Sequence, residues 1–281
     1  MYRLTNYLFS FVIIYLFILE ANMGDHVQII LGLFFSLIIA YIAFLGNWIT
    51  LDATKAVIIF GTIIFGFAGW SLAIAVVVFF ITSNLLSRWN RVSRERAPEA
   101  KFRIPDISRR RDGYQIWANG FWMALFVFIW FIYPYDAFLV AAFTALATAN
   151  ADTWATEVGT VKPGKTVKIN TFQPVKPGSD GGISKKGTLA SVAGAGLIAI
   201  FILFTGVVYP ILFLLIIFLF GFLGGLIDSY FGALIQDRKW VLSVPNDFSG
   251  NQQLFANSFV NWISTGASAI LALIIIQLFI S

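Results

Sequence analysis

Three acidic side chains interrupt long apolar stretches of this sequence, and they are the first candidates for chemistry. Asp152 and Glu157 lie in the segment NADTWATEVG (150–159), and Asp228 lies in GGLIDSYFGALIQ (224–236). A charged side chain within a membrane span is costly in lipid, so it usually faces the bundle interior and marks a site. On a regular helix Asp152 and Glu157 point about 140° apart. Both therefore reach one divalent cation only if the helix ends or unwinds between them.

A glycine-rich segment, VKPGSDGGISKKGT (175–188), has the composition of an anion-binding loop. Its glycines let backbone N–H groups converge, and Lys185 and Lys186 open the helix that follows. The helix N-terminus adds positive potential and the lysines add point charges, so the segment could cradle phosphates. A flexible turn whose lysines only mark the cytoplasmic side is the alternative. Because nearby acids could hold a divalent cation that bridges phosphates, we favour phosphate binding.

Polar residues also recur at helical spacing near the same helix ends. Small and polar residues that share one face of the later helix are Gly224, Asp228, Gly232 and Gln236. Such a stripe lets a neighbouring backbone approach the acid closely. The last predicted helix carries Asn257 and Asn261 four residues apart. Helix packing alone explains a glycine stripe, and interhelical hydrogen bonds alone explain asparagines in a span, so both alternatives stay open.

A basic segment, RRRDGYQIWANG (109–120), enters the membrane with three consecutive arginines, Arg109 to Arg111. The arginines are mixed with aromatic residues and Asn119. This composition suits lipid headgroups or a polyphosphate, and simple contact with anionic lipid is the alternative. The cytoplasmic helix ends thus combine acids, amides and bases, which a phosphorylated, membrane-embedded substrate would satisfy.

The composition indicates a membrane protein. Of 281 residues, 59% are hydrophobic and 12% are charged, whereas soluble domains are nearer half apolar and about a quarter charged. The sequence has no cysteine and one histidine, which excludes Cys/His zinc sites, thiol nucleophiles, disulfides and a Ser/His/Asp triad. The net charge of +5 comes from basic residues between apolar segments, so it reports topology and not a nucleic-acid partner.

The apolar segments predict an all-α polytopic integral membrane protein with about nine spans (eight to nine), located in the cell membrane. The segment 55–86 is too long for one span and is interrupted by Gly66 and Gly69, so we split it into two helices, although a re-entrant hairpin would give the same sidedness. The predicted helices cover 6–19, 28–48, 55–86 as two, 117–133, 136–158, 187–205, 208–235 and 255–280.

Basic residues predict the sidedness. Loops at about 87–113, 160–186 and 236–254 carry most of the Lys and Arg and should face the cytoplasm. The N-terminus is then cytoplasmic, the C-terminus lies outside, and the active face is cytoplasmic. No polar block is long enough for a second core, so residues 1–281 form a single membrane domain.

The motifs together resemble a family of integral membrane proteins called domain of unknown function 92, whose members include phytyl-phosphate kinases of tocopherol synthesis. The resemblance runs in order from about residue 50 to 275 and is most specific in NADTWATEVG. It is carried by ANG (118–120), NADTWATEVG (150–159), PGSDGG (177–182), GGLIDSYFGALIQ (224–236) and the pair Asn257 and Asn261.

This resemblance implies an activity and roles for the residues. The activity is phosphoryl transfer from a nucleoside triphosphate, with CTP among the candidates, to an isoprenoid monophosphate such as phytyl or geranylgeranyl phosphate. The implied catalytic residues are Asn150, Asp152, Glu157 and Asp228, of which the three acids would hold Mg²⁺. The implied substrate-binding and phosphate-binding residues are Lys176, Gly178, Ser179, Gly181, Gly182, Lys185, Lys186, Arg110, Arg111, Asn119, Gln236, Asn257 and Asn261.

A transporter or flippase of a lipid phosphate, or an ion-coupled carrier, is the alternative function. Interior acids and broken helices suit such a carrier as well. A carrier keeps its site near the midplane, whereas the polar groups here crowd the cytoplasmic helix ends. The DGxxAR frame of CDP-alcohol phosphotransferases is absent from the sequence.

Overall fold

The computed structural model describes residues 2–95, 110–161, 164–236 and 252–279. Within these residues the chain forms nine α-helices and one two-stranded antiparallel sheet. A 3-10 segment extends α7 over Ile200–Phe204, and a π-helical turn extends α8 over Gly232–Gln236. The elements are α1 (Tyr2–Leu19), α2 (Met23–Leu45), α3 (Leu51–Phe67), α4 (Gly69–Glu95), α5 (Gly113–Ile132), α6 (Asp136–Gly159), β1 (Thr166–Lys168), β2 (Gly182–Ser184), α7 (Lys185–Ala199), α8 (Pro210–Phe231) and α9 (Gln252–Phe279).

These helices confirm a polytopic all-α membrane protein. Seven of them, all except α3 and α6, are long and apolar enough to cross a membrane. The seven do not establish the predicted count of eight to nine spans, and the orientation stays a prediction. α3 has only 17 residues, and α6 is diluted by alanine, threonine and its acids.

One of the predicted boundaries is confirmed and one needs correction. The predicted break in segment 55–86 is present, because α3 ends at Phe67 and α4 begins at Gly69, whose φ of +79° suits glycine. However, α4 continues to Glu95, so the predicted loop at 87–113 begins too early. Basic side chains such as Arg88 favour the C-terminal end of a helix and can reach the headgroup region from it. Most of that loop and of the predicted loop 236–254 lies outside the described residues.

Helix α6 is the centre of the bundle. It packs against α4, α5, α7, α8 and α9, and every residue from 139 to 151 is buried. Its many small residues let neighbouring helices approach closely on every side. Its last two turns, which carry the acidic residues, emerge from this core toward the 160–184 connection.

Small residues hold α8 directly against α6, as the glycine stripe predicts. A Cβ at Gly224 would collide with the side chain of Thr148, and a Cβ at Gly221 would lie 2.5 Å from that of Ala147. The hydroxyl groups of Thr148 and Ser268 are 2.7 Å apart, which ties α9 to the same place. Because the backbones approach this closely, acids one turn further along α6 and α8 face each other.

The 160–184 connection folds back over the ends of these helices. β1 pairs with β2 in the register Thr166↔Ser184 and Lys168↔Gly182. The Ser184 hydroxyl then accepts a bond from Gly187 N at 3.2 Å and caps α7. The hairpin therefore sets the glycine-rich segment between α7 and the acidic ends of α6 and α8.

Candidate functional site

Asp152 of α6 and Asp228 of α8 meet in the structure. Their carboxyl groups lie within hydrogen-bonding reach of one another, although 76 positions separate them in the sequence. Asp228 is 7% exposed and Asp152 is partly buried. Two carboxyl groups at this separation must share a proton or a cation, because two negative charges in a buried site repel each other strongly.

The two acids line a polar cavity of about 160 Å³. Asp180 of the glycine-rich segment lines it too, as do Asn257 of α9 and several hydroxyl groups. Of the described residues around the cavity, none is Lys or Arg, so its walls are negatively charged. The hydroxyl-bearing residues of the lining include Thr156, Thr160, Ser184, Thr188, Ser191 and Ser229.

Gly178, Ser179, Gly181 and Gly182 form another part of the cavity wall. Two tight turns shape it, in which Ser179 N donates to Lys176 O at 3.1 Å and Gly182 N donates to Ser179 O at 2.9 Å. Gly181 has a φ of +71°, and a Cβ there would lie 2.8 Å from Cα of Ala233. Glycine is needed at this position because the segment touches the backbone of α8.

Ser264 of α9 is a site residue that the sequence analysis missed. Its hydroxyl lies 2.8 Å from Asp228 Oδ2 and 3.1 Å from the carbonyl oxygen of Asn261. Ser264 follows Asn257 by seven residues and therefore shares its helical face. A hydroxyl two turns after Asn257 is the sequence signal that indicates it.

Asn150 and Glu157 lie away from the cavity lining. Asn150 is fully buried and donates from Nδ2 to Gly194 O at 2.8 Å, which joins α6 to α7. The carboxylate of Glu157 faces α4, where it accepts bonds from the Ser87 hydroxyl and from Asn90 Nδ2, the latter at 2.8 Å. α6 stays helical to Gly159, so Glu157 points away from Asp152.

Most of the predicted phosphate-binding residues fall into three groups by their location. Gly178, Ser179, Gly181, Gly182 and Asn257 line the polar cavity. The side chains of Lys176, Lys185 and Lys186 are exposed and lie outside its lining. Arg111 and Asn119 instead line a second, apolar cavity.

Three further predicted residues lie elsewhere. Arg110 is exposed and donates to Asn47 Oδ1. Asn261 donates to Asn119 Oδ1 at 3.4 Å. For Gln236 the structure describes the backbone alone, at the end of the π-helical turn.

Comparison with known proteins identifies the family. The family described as "Integral membrane protein DUF92" matches residues 34–269. The chain belongs to this family. The match spans every site residue described above and leaves out α1. No solved structure matches the chain.

Proteins from three organisms are similar in sequence to this DUF92 chain. An uncharacterized membrane protein of Methanocaldococcus jannaschii is 32% identical over 77% of this chain and 81% of its own length. One of Synechocystis is 31% identical over 76% of this chain and 78% of its own length. Protein PGR of Arabidopsis thaliana is 30% identical over 60% of this chain and 66% of its own length.

The donor set of this DUF92 site fits a hard divalent cation held in part by substrate. Within the described residues no group of three or more acidic or imidazole side chains could hold a metal ion. Mg²⁺ in phosphate-transfer sites is commonly bound by one or two carboxylates, with substrate phosphates and water as the remaining ligands. Asp152 and Asp228 meet that requirement without Glu157.

If this site carries out the phosphoryl transfer that the family resemblance implies, we expect Ser264→Ala to lower turnover roughly tenfold, because Ser264 orients the Asp228 carboxylate through a charge-assisted hydrogen bond. Ser268→Ala is the matched control, since it removes a buried hydroxyl of α9 that is bonded to Thr148 and not to an acid. Transfer assays should show a lower kcat for Ser264→Ala only. Equal loss in both variants would make Ser264 a packing residue.

We expect Glu157→Gln to reduce stability and to spare the chemistry. The change weakens two charge-assisted bonds to α4, which corresponds to about 1–3 kcal/mol of unfolding free energy. Thermal unfolding in detergent and a transfer assay separate the two effects. Complete loss of transfer from a folded Glu157→Gln protein would restore Glu157 as a metal ligand.

Proposed function

We propose that this DUF92 protein is a membrane-embedded kinase that transfers a phosphoryl group from a nucleoside triphosphate to an isoprenoid monophosphate. The observation that carries the proposal is the pair of adjacent acids, Asp152 and Asp228, which line one polar cavity together with a glycine-rich segment. Phosphoryl transfer requires mainly positioning and charge neutralisation, and this arrangement can provide both.

The charge of the cavity supports a cation in the reaction. Its described walls carry Asp152, Asp180 and Asp228 and no basic residue, so phosphate alone would be repelled. Mg²⁺ held by Asp152 and Asp228 would neutralise both the acids and the donor phosphates. The backbone of Gly178 to Gly182, including Ser179, would position the donor phosphates.

The reaction balances without a protein base. An anionic oxygen of the acceptor monophosphate attacks the γ-phosphorus of the donor and forms a new P–O bond. The bond between that phosphorus and the β-phosphate oxygen breaks, and the nucleoside diphosphate leaves. Because the attacking oxygen carries no proton at neutral pH, the absence of a catalytic histidine from the cavity is no obstacle.

The proposal also includes the side of the membrane on which the site lies. Asp152 lies seven residues before the end of α6 and Asp228 three residues before the end of α8, so both are near one end of the bundle. If all nine helices span the bilayer and basic loops face inward, that end is cytoplasmic, where nucleoside triphosphates are available. A site at one end suits an enzyme better than a carrier with a midplane site.

A transfer assay tests the proposal. Detergent-purified protein is mixed with Mg²⁺, a panel of γ-labelled nucleoside triphosphates including CTP, and phytyl or geranylgeranyl phosphate. Label in an isoprenoid diphosphate, lost in Asp152→Asn and retained in Asp25→Asn, is the expected result. Asp25 caps α2 through Asn22, at the other end of the bundle. No transfer with any donor, together with saturable lipid-phosphate binding, would favour the transporter.

A further inference from the structure

A second cavity, of about 270 Å³, lies among α2, α3, α4 and α5, with Leu146 of α6 at its wall. Its lining is almost wholly apolar and aromatic, including Trp48, Phe60 and Phe80. The cavity is partly open at the surface of the bundle, so a ligand can enter it from outside. The shape and chemistry of the cavity therefore suit an apolar ligand.

Polar residues of the lining gather at the N-terminal end of α5. Arg111 precedes this helix, and Gln115 and Asn119 lie in its first two turns. Met123, one turn further along, is apolar. Ser36 of α2 is a polar lining residue away from this end, and its hydroxyl is already bonded to Leu33 O at 2.9 Å. The cavity is thus amphiphilic, with a polar end and an apolar body.

Arg111 is held in place at that polar end. Its backbone N donates to Trp48 O at 2.9 Å, and its carbonyl accepts from Thr50 N at 3.0 Å. The guanidinium lies over the rings of Phe79 and Phe80, 5.3 and 5.9 Å from their centroids. Burial lowers the pKa of Arg111 and the charge of Glu157 raises it, but an arginine stays protonated at neutral pH.

The charge of Arg111 is not neutralised by a direct ion pair with any residue that the structure describes. Glu157, the acid that acts on it electrostatically, is bonded to Ser87 and Asn90. A cation in such surroundings favours an anionic group of a ligand, and a guanidinium matches a phosphate in bidentate geometry.

A chain of hydrogen bonds connects this cavity to the acids. Asn119 lines the apolar cavity and accepts from Asn261 Nδ2 at 3.4 Å. Ser264 Oγ lies 3.1 Å from Asn261 O and 2.8 Å from Asp228 Oδ2. The polar end of the second cavity and the acidic cavity are therefore neighbours across α9.

We propose that the second cavity binds the hydrocarbon chain of a single-chain lipid monophosphate, with Arg111 contacting its phosphate and Asn119 on the side toward Asp228. The identification of this lipid as the acceptor rests on the proposed kinase function. The position of the phosphate beside Asn119 would present it toward the donor bound at Asp152 and Asp228.

Binding measured without nucleotide tests the site independently of catalysis. Tritiated geranylgeranyl phosphate is titrated into detergent-solubilised protein, and geranylgeraniol, oleoyl phosphate and dioleoyl phosphatidate compete. Val77→Phe fills the cavity, and Val78→Phe makes the same change at the next residue of α4, which does not line it. Arg111→Gln removes the cation, and Arg91→Gln removes an exposed one.

We expect Val77→Phe and Arg111→Gln each to weaken binding by roughly tenfold or more, and both controls to bind normally. The alcohol should compete poorly because it lacks the phosphate. Displacement of the labelled lipid by phosphatidate but not by oleoyl phosphate would assign the cavity to a bilayer phospholipid and overturn the proposal. Size-exclusion profiles and melting temperatures confirm that the variants are folded.

The outcome separates the two proposals. Normal binding by folded Val77→Phe and Arg111→Gln, with transfer still lost in Asp152→Asn, would reject the cavity and keep the kinase. Binding that these variants weaken, in a protein that transfers no phosphate, would keep the lipid site and reject the kinase. Asp152→Asn should bind the lipid phosphate normally, because Asp152 is outside the second cavity.

Discussion

Replacing Asp228 by asparagine will lower phosphoryl transfer by about a thousandfold or more, the loss typical when a preorganised electrostatic group is removed. Asparagine keeps the shape of the side chain and can still accept the bond from Ser264. It has no charge, however, and a pair with a single carboxylate holds a divalent cation beside the donor phosphates much more weakly. The measurement is transfer of γ-label to the lipid phosphate over a range of Mg²⁺ concentrations.

The double variant Asp152→Asn with Asp228→Asn sharpens this prediction. If the acids act as one cation site, the double variant will be no worse than either single variant, because groups that act as a unit are not additive. Asp136→Asn is the control, since this acid lies at the other end of α6 and accepts a bond from Val208 N at 2.9 Å. Near-normal transfer by the Asp228→Asn protein would contradict the proposal that the two acids share a cation.

Replacing Gly181 by alanine will reduce transfer by about a hundredfold, since displacing a positioning group by about 1 Å can cost that much. Gly181 has a φ of +71°, which disfavours any side chain by about 1–2 kcal/mol. An added Cβ would also lie 2.8 Å from Cα and 2.9 Å from N of Ala233. The backbone of α8 cannot yield easily, so the glycine-rich segment must move away from the acids.

Gly164→Ala makes the same change in the same connection and is the control. A Cβ at Gly164 would meet none of the described residues within 4 Å, so we expect transfer and stability to stay near those of the native protein. Turnover and the KM for the nucleotide should be measured for both variants. If Gly181→Ala neither raised KM nor lowered kcat, the glycine-rich segment would have no part in binding the donor.

Much of the architecture follows from local pattern. Apolar segment lengths predicted the membrane class, and the glycines near residue 69 predicted the break between α3 and α4. The interior location of Asp152 and Asp228 followed from the cost of charge in lipid. The divergence of Asp152 and Glu157 also followed from helical spacing, because α6 remains regular through both residues.

Other features depended on contacts between distant segments. Nothing in the sequence around Glu157 shows that Ser87 and Asn90, about 70 positions earlier, donate hydrogen bonds to it. Nothing local to Arg111 shows that it lines an apolar cavity and not the polar one. The packing of the helices around α6 decides that Glu157 contacts α4 and that Arg111 lies beside α5.

The sequence by itself determined the membrane class, the helical segments and the kinds of side chain at their ends, because periodicity, hydropathy and charge are properties of neighbouring residues. Only the tertiary structure decided which helix faces meet. Gly224 brings α8 against α6, and Gly181 brings the glycine-rich segment against α8. These close approaches join two acids 76 positions apart into one cavity, since backbone packing sets their separation and sequence spacing does not.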